Sequence, residues 1–163
     1  MVCILKNRLQ KVFMVTLSWP ITDRIRDNRQ IDSVADFVNS LETPNGVKVP
    51  VVLRLRKQQS ADLWRKVVRR FREKNVVNAL YAYSVKTDSV IDEKTYLQEY
   101  LGDDVIDVMG LENYCQAEED NVPQLADFTK QLDQNLGVVC RIAKKHQKAV
   151  AVTETGYKCI AYK

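Results

Sequence analysis

Glu154 is the residue of this chain best placed to do chemistry. It stands in Thr153-Glu154-Thr155-Gly156, directly after Ala149, Val150, Ala151 and Val152. A run of small and β-branched residues suits a short strand buried on both faces, as in a parallel sheet. Parallel α/β folds carry their chemistry at the C-terminal ends of such strands. A carboxylate there can attack an electrophilic carbon or move a proton. Gly156 is expected to turn the backbone sharply away. The plainer alternative is a strand end with a solvated glutamate before a turn. Other polar and aromatic residues also fall at expected strand tips: Trp19, Arg54, Tyr83 and Tyr114.

The elements that must position these residues follow from periodicity. Residues 2–12 are expected to form a short basic helix. Val12 to Trp19 is β-branched and aromatic and is expected as a strand that Pro20 ends. From Gln30, Ile31, Val34, Ala35, Phe37, Val38 and Leu41 recur at helical spacing, and Thr43-Pro44-Asn45-Gly46 signals a turn. Val49 to Leu55 is the second strand. Ser60 is an N-cap for a helix over 61–74 with apolar Leu63, Trp64, Val67, Val68 and Phe71. Val76 to Ser84 is the third strand, and Asp92 caps a short helix reaching Leu101. Gly102 to Gly110 gives a turn and a fourth strand, with Leu111 to Tyr114 following at its C-terminal tip. Pro123 suits the first turn of a long helix carrying Leu125, Phe128, Leu132, Leu136, Val139 and Ile142 to about residue 146. The order is strand then helix, four times, and then the strand before Glu154. The fold class is α/β, with about five parallel strands alternating with helices.

Composition narrows the function classes. The chain has 163 residues, 45% hydrophobic and 28% charged, which is an ordinary globular balance rather than a disordered one. A net charge of +4 is too small to imply a nucleic-acid or membrane partner. Arg65, Lys66, Arg69, Arg70, Arg72 and Lys74 crowd one helix, which reads as a nucleic-acid footprint or as the solvated face of an outer helix. No glycine-rich loop or interleaved aromatics accompany them, which favours the solvated face. Cys3, Cys115, Cys140 and Cys159 lie far apart and the single histidine, His146, sits at a helix end, so no metal site is expected. The chain has no G-x-G-x-x-G and no P-loop, so no cofactor is expected. No apolar run reaches the roughly 18 residues of a membrane span, and the start does not read as an export signal.

Four ordered stretches resemble landmarks of glycoside hydrolase family 26. They are Asn45-Gly46-Val47-Lys48-Val49-Pro50-Val51-Val52-Leu53-Arg54, Asn78 to Ser84, Gly102 to Tyr114, and Val152-Thr153-Glu154-Thr155-Gly156. The resemblance spans roughly residues 12–157. It implies an incomplete (β/α)8 TIM-type barrel, with residues 1–163 forming one partial barrel domain that corresponds to strands three to seven. It also implies an endo-β-1,4-mannanase that retains configuration, with β-mannan or manno-oligosaccharide as substrate. By the same resemblance Glu154 is the nucleophile and Tyr114 the tyrosine bonded to it. Asp107 is an aspartate near the site, Arg54 closes a strand, and Ser18-Trp19 lies at a strand tip. Members of the family are commonly secreted or surface-attached.

The sequence departs from the family pattern in two places near the site. Pro20 stands where histidine is usual, and Glu112 where aspartate is favoured. After Arg54 the family continues with a His-Glu pair, whose Glu is the general acid/base, and with a tryptophan-rich loop. Here Arg54 runs through Arg56 and Lys57 to Ser60 with no carboxylate before Asp62. An arginine or lysine is a poor proton donor at neutral pH. The expectation is therefore a mannanase relative that is inactive as it stands. The alternatives are a mannan-binding remnant using Trp19, Tyr83 and Tyr114, and a basic module built on the 61–74 helix. Glu118 or Glu119 would be the nearest substitute acids after Tyr114.

Overall fold

The computed structural model describes residues 2–7, 10–17, 27–55, 60–87, 91–115 and 125–157. Side chains before Asp27 are not part of that description. The chain forms two compact units, Met1–Ala82 and Tyr83–Lys163. Its strands follow one another in the sheet in chain order, and β4 carries the chain from the first unit into the second.

The first unit opens with β1 (Val2–Asn7) paired antiparallel to β2 (Gln10–Leu17), Val2 facing Val15 and Asn7 facing Gln10. This overturns the expected basic helix at 2–12. Ile4 stands opposite Phe13 and Leu5 opposite Val12 in the ladder, and backbone pairing with a neighbouring strand outweighs a weak local helix pattern. β2 pairs parallel to β3 (Val51–Leu55), with Val15 facing Val51 and Leu17 facing Leu53.

α1 (Asn28–Ser40) is capped by Asp27, whose carboxylate accepts from the Arg29 amide at 2.9 Å. Its buried stripe is Ile31, Ala35 and Val38. α2 (Ala61–Glu73) is capped by Ser60, as expected, through the Leu63 amide at 3.2 Å. Leu63, Trp64, Val67, Val68 and Phe71 are its buried stripe, with the Trp64 and Tyr81 rings edge-on at 5.9 Å. Arg70 Nη2 donates to Asp32 at 2.8 Å, tying α2 to α1, while Arg65, Arg69 and Arg72 lie on the exposed face. Asn75 ends the helix with φ of 53°, so that the Val76 amide reaches the Phe71 carbonyl at 3.0 Å. Asn78 is buried and its amide donates to the Val38 and Val49 carbonyls, each at 2.8 Å.

In the second unit β4 (Ala79–Thr87) is followed by α3 (Glu93–Tyr96), capped by Asp92 through the Thr95 amide at 2.7 Å. α3 is a single turn rather than a helix to Leu101. Tyr96, fully buried, donates from its hydroxyl to the Gly110 carbonyl at 3.0 Å. β5 is Val108–Cys115, later than the expected fourth strand, so Tyr114 lies within the strand. α4 (Leu125–His146) packs on β5 and buries Phe128, Val139, Ile142 and Ala143. Gln147, with φ of 56°, ends it and lets the Lys148 amide reach the Ala143 carbonyl at 2.9 Å. β6 (Ala149–Tyr157) then pairs parallel to β5.

Candidate active site

Glu154 sits near the C-terminal end of β6, beside the C-terminal end of parallel β5. The ladder between them is not uniform. Leu111 faces Val152 but Glu112 faces Glu154, so Thr153 is an extra residue in β6. Glu112 and Tyr114 of β5 share a face because side chains alternate along a strand. The Tyr114 hydroxyl donates to Glu154 Oε2 at 2.7 Å. A phenol bonded to a carboxylate fixes its orientation. Tyr114 is 38% exposed, so this pair lies open to a ligand rather than inside the core.

Gly156 acts differently from the expected turn. It lies inside β6, and a Cβ on it would stand 3.0 Å from both Cδ1 and Cε1 of Tyr114. The glycine makes room for the tyrosine ring that reaches Glu154. The strand that was expected to stop at Val152 continues to Tyr157 because β5 extends beside it.

The other candidates lie on other elements. Arg54 is the penultimate residue of β3 in the first unit, and its side chain is buried. Asp107 immediately precedes β5, and its carbonyl accepts from the Ala149 amide at 3.2 Å. It stands at the opposite end of the β5–β6 ladder from Tyr114, about 23 Å away at about 3.3 Å per residue. The structure does not bring Asp107 to Glu154. Trp19 lies outside the described residues, as do Ser18, Pro20, Arg56, Lys57, Glu118 and Glu119. Tyr83 is not at a surface where sugar could stack. Its hydroxyl donates to the Tyr96 carbonyl at 2.5 Å, its ring is edge-on to Tyr96 and Tyr100, and burial pushes its phenol up to about 12.

Sequence reading passed over three residues that shape this site. Thr153 donates to the Leu111 carbonyl at 3.1 Å and is hydrogen-bonded to Ser84 Oγ. Gly110 leaves space for Thr153, since a Cβ there would meet Thr153 Cγ2 at 2.6 Å. The only sequence signal for them was a glycine and a hydroxyl inside otherwise apolar strands. Among the described residues no cluster of His, Cys, Asp or Glu could hold a metal ion, and no helix is long and apolar enough to cross a membrane.

Parallel strands in a βα succession, with a glutamate near the C-terminal end of one of them, are an arrangement of the (β/α)-barrel kind. The profile of glycosyl hydrolase family 26 matches residues 14–148, and the chain belongs to that family. Its fold is an incomplete (β/α)8 TIM-type barrel. A β-mannanase of this family from Bacteroides ovatus is 34% identical and superposes with a TM-score of 0.65, over 89% of this chain and 48% of that one. The family 26 endo-β-1,4-mannanase catalytic domain from Bacillus sp. JAMB-750 is 27% identical, with a TM-score of 0.65, over 80% of this chain and 37% of that one. A mannan endo-1,4-β-mannosidase of Bifidobacterium adolescentis is 25% identical over 146 residues, 79% of this chain and 14% of that protein. The chain thus spans less than half the length of each of these relatives.

Proposed function

We propose that this chain carries the nucleophile side of a retaining β-mannanase site, with Glu154 as nucleophile and Tyr114 holding it. The observation that carries the reading is the 2.7 Å bond from Tyr114 to Glu154 at the C-terminal end of β6. Family membership and the printed activities of the relatives supply the substrate class, β-1,4-mannan or manno-oligosaccharide.

In the first half-reaction a Glu154 oxygen forms an ester bond to the anomeric carbon, and the C1–O bond to the leaving group breaks with its electron pair. In the second, water attacks the same carbon and releases Glu154, restoring the original configuration. A second carboxyl group, about 5–5.5 Å from the first, normally protonates the leaving oxygen and later activates the water. The chain between Arg54 and Asp62 supplies none. Turnover of unactivated mannan is accordingly lower by about 10²–10⁴-fold than with an acid/base in place.

The test compares two substrates. A dinitrophenyl β-mannobioside needs no proton on its leaving group, whereas soluble β-mannan does. The expected result is turnover or a burst on the aryl glycoside, little or none on mannan, and loss of both in Glu154→Ala. Aryl glycoside cleavage that survives Glu154→Ala would overturn the assignment. Mannan binding without any cleavage, lost in Tyr114→Ala but kept in Glu154→Ala, would instead support a non-catalytic mannan-binding remnant.

A further inference from the structure

Glu154 is on the face of Tyr114 only because β6 contains one extra residue. Up to Leu111 and Val152 the ladder is regular, with Met109 facing Val150 and Gly110 facing Ala151. Continued without interruption, it would set Glu112 against Thr153 and Asn113 against Glu154. A one-residue slip moves every following side chain to the opposite face. Glu154 would then share the side of Asn113, which is 1% exposed, and Thr155 would lie across from Tyr114. The observed register puts Glu154 across from Glu112 and Gly156 across from Tyr114.

Something must select that register, since a bulge forgoes regular ladder bonding. The contacts of Thr153 supply it. The extra residue spends its hydroxyl on the Leu111 carbonyl at 3.1 Å and on Ser84 of β4. Its methyl occupies the volume that Gly110 leaves empty, in a niche also walled by the Tyr83 carbonyl and Ser84 Oγ, 3.0 and 3.1 Å from where a Cβ would lie. Both β4 and β5 therefore grip this one threonine of β6. From this we infer that Thr153, seated by Ser84 and Gly110, is a positioning residue that sets the β6 register and so presents Glu154 to Tyr114. It does not touch the reacting atoms. Its kinetic consequence rests on the nucleophile reading above; its structural consequence does not.

The test uses the full chain with Thr153→Val, which keeps branching at Cβ but removes the hydroxyl, and Thr153→Ser, which keeps the hydroxyl. Two readouts are taken. Cross-strand NOEs between β5 and β6 report register directly, and the rate of covalent labelling by dinitrophenyl 2-deoxy-2-fluoro-β-mannobioside reports the nucleophile. In the native chain and in Thr153→Ser, NOEs join Glu112 to Glu154. In Thr153→Val they are lost or move to Asn113 and Glu154, and labelling slows by about 100-fold or more, as expected for a misplaced reacting group. Retention of the Glu112–Glu154 NOEs in Thr153→Val overturns the inference. A native chain that never labels refutes the nucleophile reading alone, because the NOEs still decide the register. If Thr153→Val fails to fold, Ser84→Ala removes one of the two hydroxyl partners and is judged by the same NOEs, whose persistence unchanged there also counts against the inference.

Discussion

Replacing Gly156 by alanine should uncouple the site from the stability of the chain. The new Cβ would lie 3.0 Å from two ring carbons of Tyr114. So close an approach is tighter than nearly all real Cβ contacts, so the ring must recede by a few tenths of an ångström. The hydroxyl lies farther from the side-chain pivot than those carbons and moves at least as far. The 2.7 Å bond to Glu154 then stretches toward the roughly 3.0 Å limit of an O–H···O bond and weakens. Once bound reagent covers the site and excludes water, a hydrogen bond to a charged group contributes about 1.5–3 kcal/mol, equivalent to roughly 10–100-fold in rate. The stability cost is much smaller. Tyr114 is 38% exposed and water takes over its hydroxyl. Gly156 does not have a positive φ, so alanine fits the backbone and offsets about 0.4–1 kcal/mol through the unfolded chain. The assay is labelling of Glu154 by the fluoromannoside beside a thermal melt. The expected outcome is labelling slowed by about 10-fold or more with Tm changed by no more than about 4 °C. Unchanged labelling at unchanged Tm would refute the claim that Gly156 makes room for the Tyr114–Glu154 bond.

Further outcomes follow from the packing and the ionised groups. Asn78→Ala leaves the Val38 and Val49 carbonyls without their 2.8 Å donors and should lower stability by about 1–3 kcal/mol, read by urea unfolding. Trp64→Ala empties a fully buried site against Tyr81 and should cost about 3–5 kcal/mol by the same assay. Hydrogen bonds from Tyr100, at 2.6 Å, and from His146, at 2.9 Å, hold the Asp103 carboxyl below the usual carboxylate range. A depressed carboxyl contributes stability above its unfolded value of about 4 that is lost as pH falls through the folded value. Asp103→Asn should therefore flatten the acid limb of the stability profile and leave the neutral region parallel. Burial raises Tyr83 to about 12, so its share of stability is complete below about pH 10 and is lost as pH rises through about 12. Tyr83→Phe should blunt that alkaline loss in a tyrosinate absorbance titration followed together with far-UV circular dichroism.

Much of the fold could be read in the sequence because its signals were local. Ser60 and Asp92 cap the helices they were expected to cap, and the Leu63, Trp64, Val67, Val68 and Phe71 stripe is buried as its spacing implies. The failures were not local. The helix expected at 2–12 is a strand because a partner strand is available, which no window over those residues contains. Strand ends shifted at β5 and β6 because each extends as far as its neighbour does. Glu154 and Tyr114 could be paired only through the family resemblance. Their separation of forty positions carries no periodic signal. The residues that turn Glu154 to the correct face, Thr153, Ser84 and Gly110, were invisible because a bulge leaves no pattern in one strand read alone. Tyr83 was read as a strand-tip residue and lies inside β4, with its hydroxyl on the Tyr96 carbonyl. Position near a strand end does not say which face or which end a side chain serves.

The most direct test of the account is mass analysis of the folded chain after incubation with dinitrophenyl 2-deoxy-2-fluoro-β-mannobioside. The fluorine slows breakdown of the glycosyl ester, and the aryl leaving group removes the need for an acid. The account predicts one fluoromannobiosyl adduct, mapped to the peptide containing Glu154 and absent from Glu154→Gln. A folded chain that acquires no adduct, or that carries it on another carboxylate such as Glu112, would contradict it.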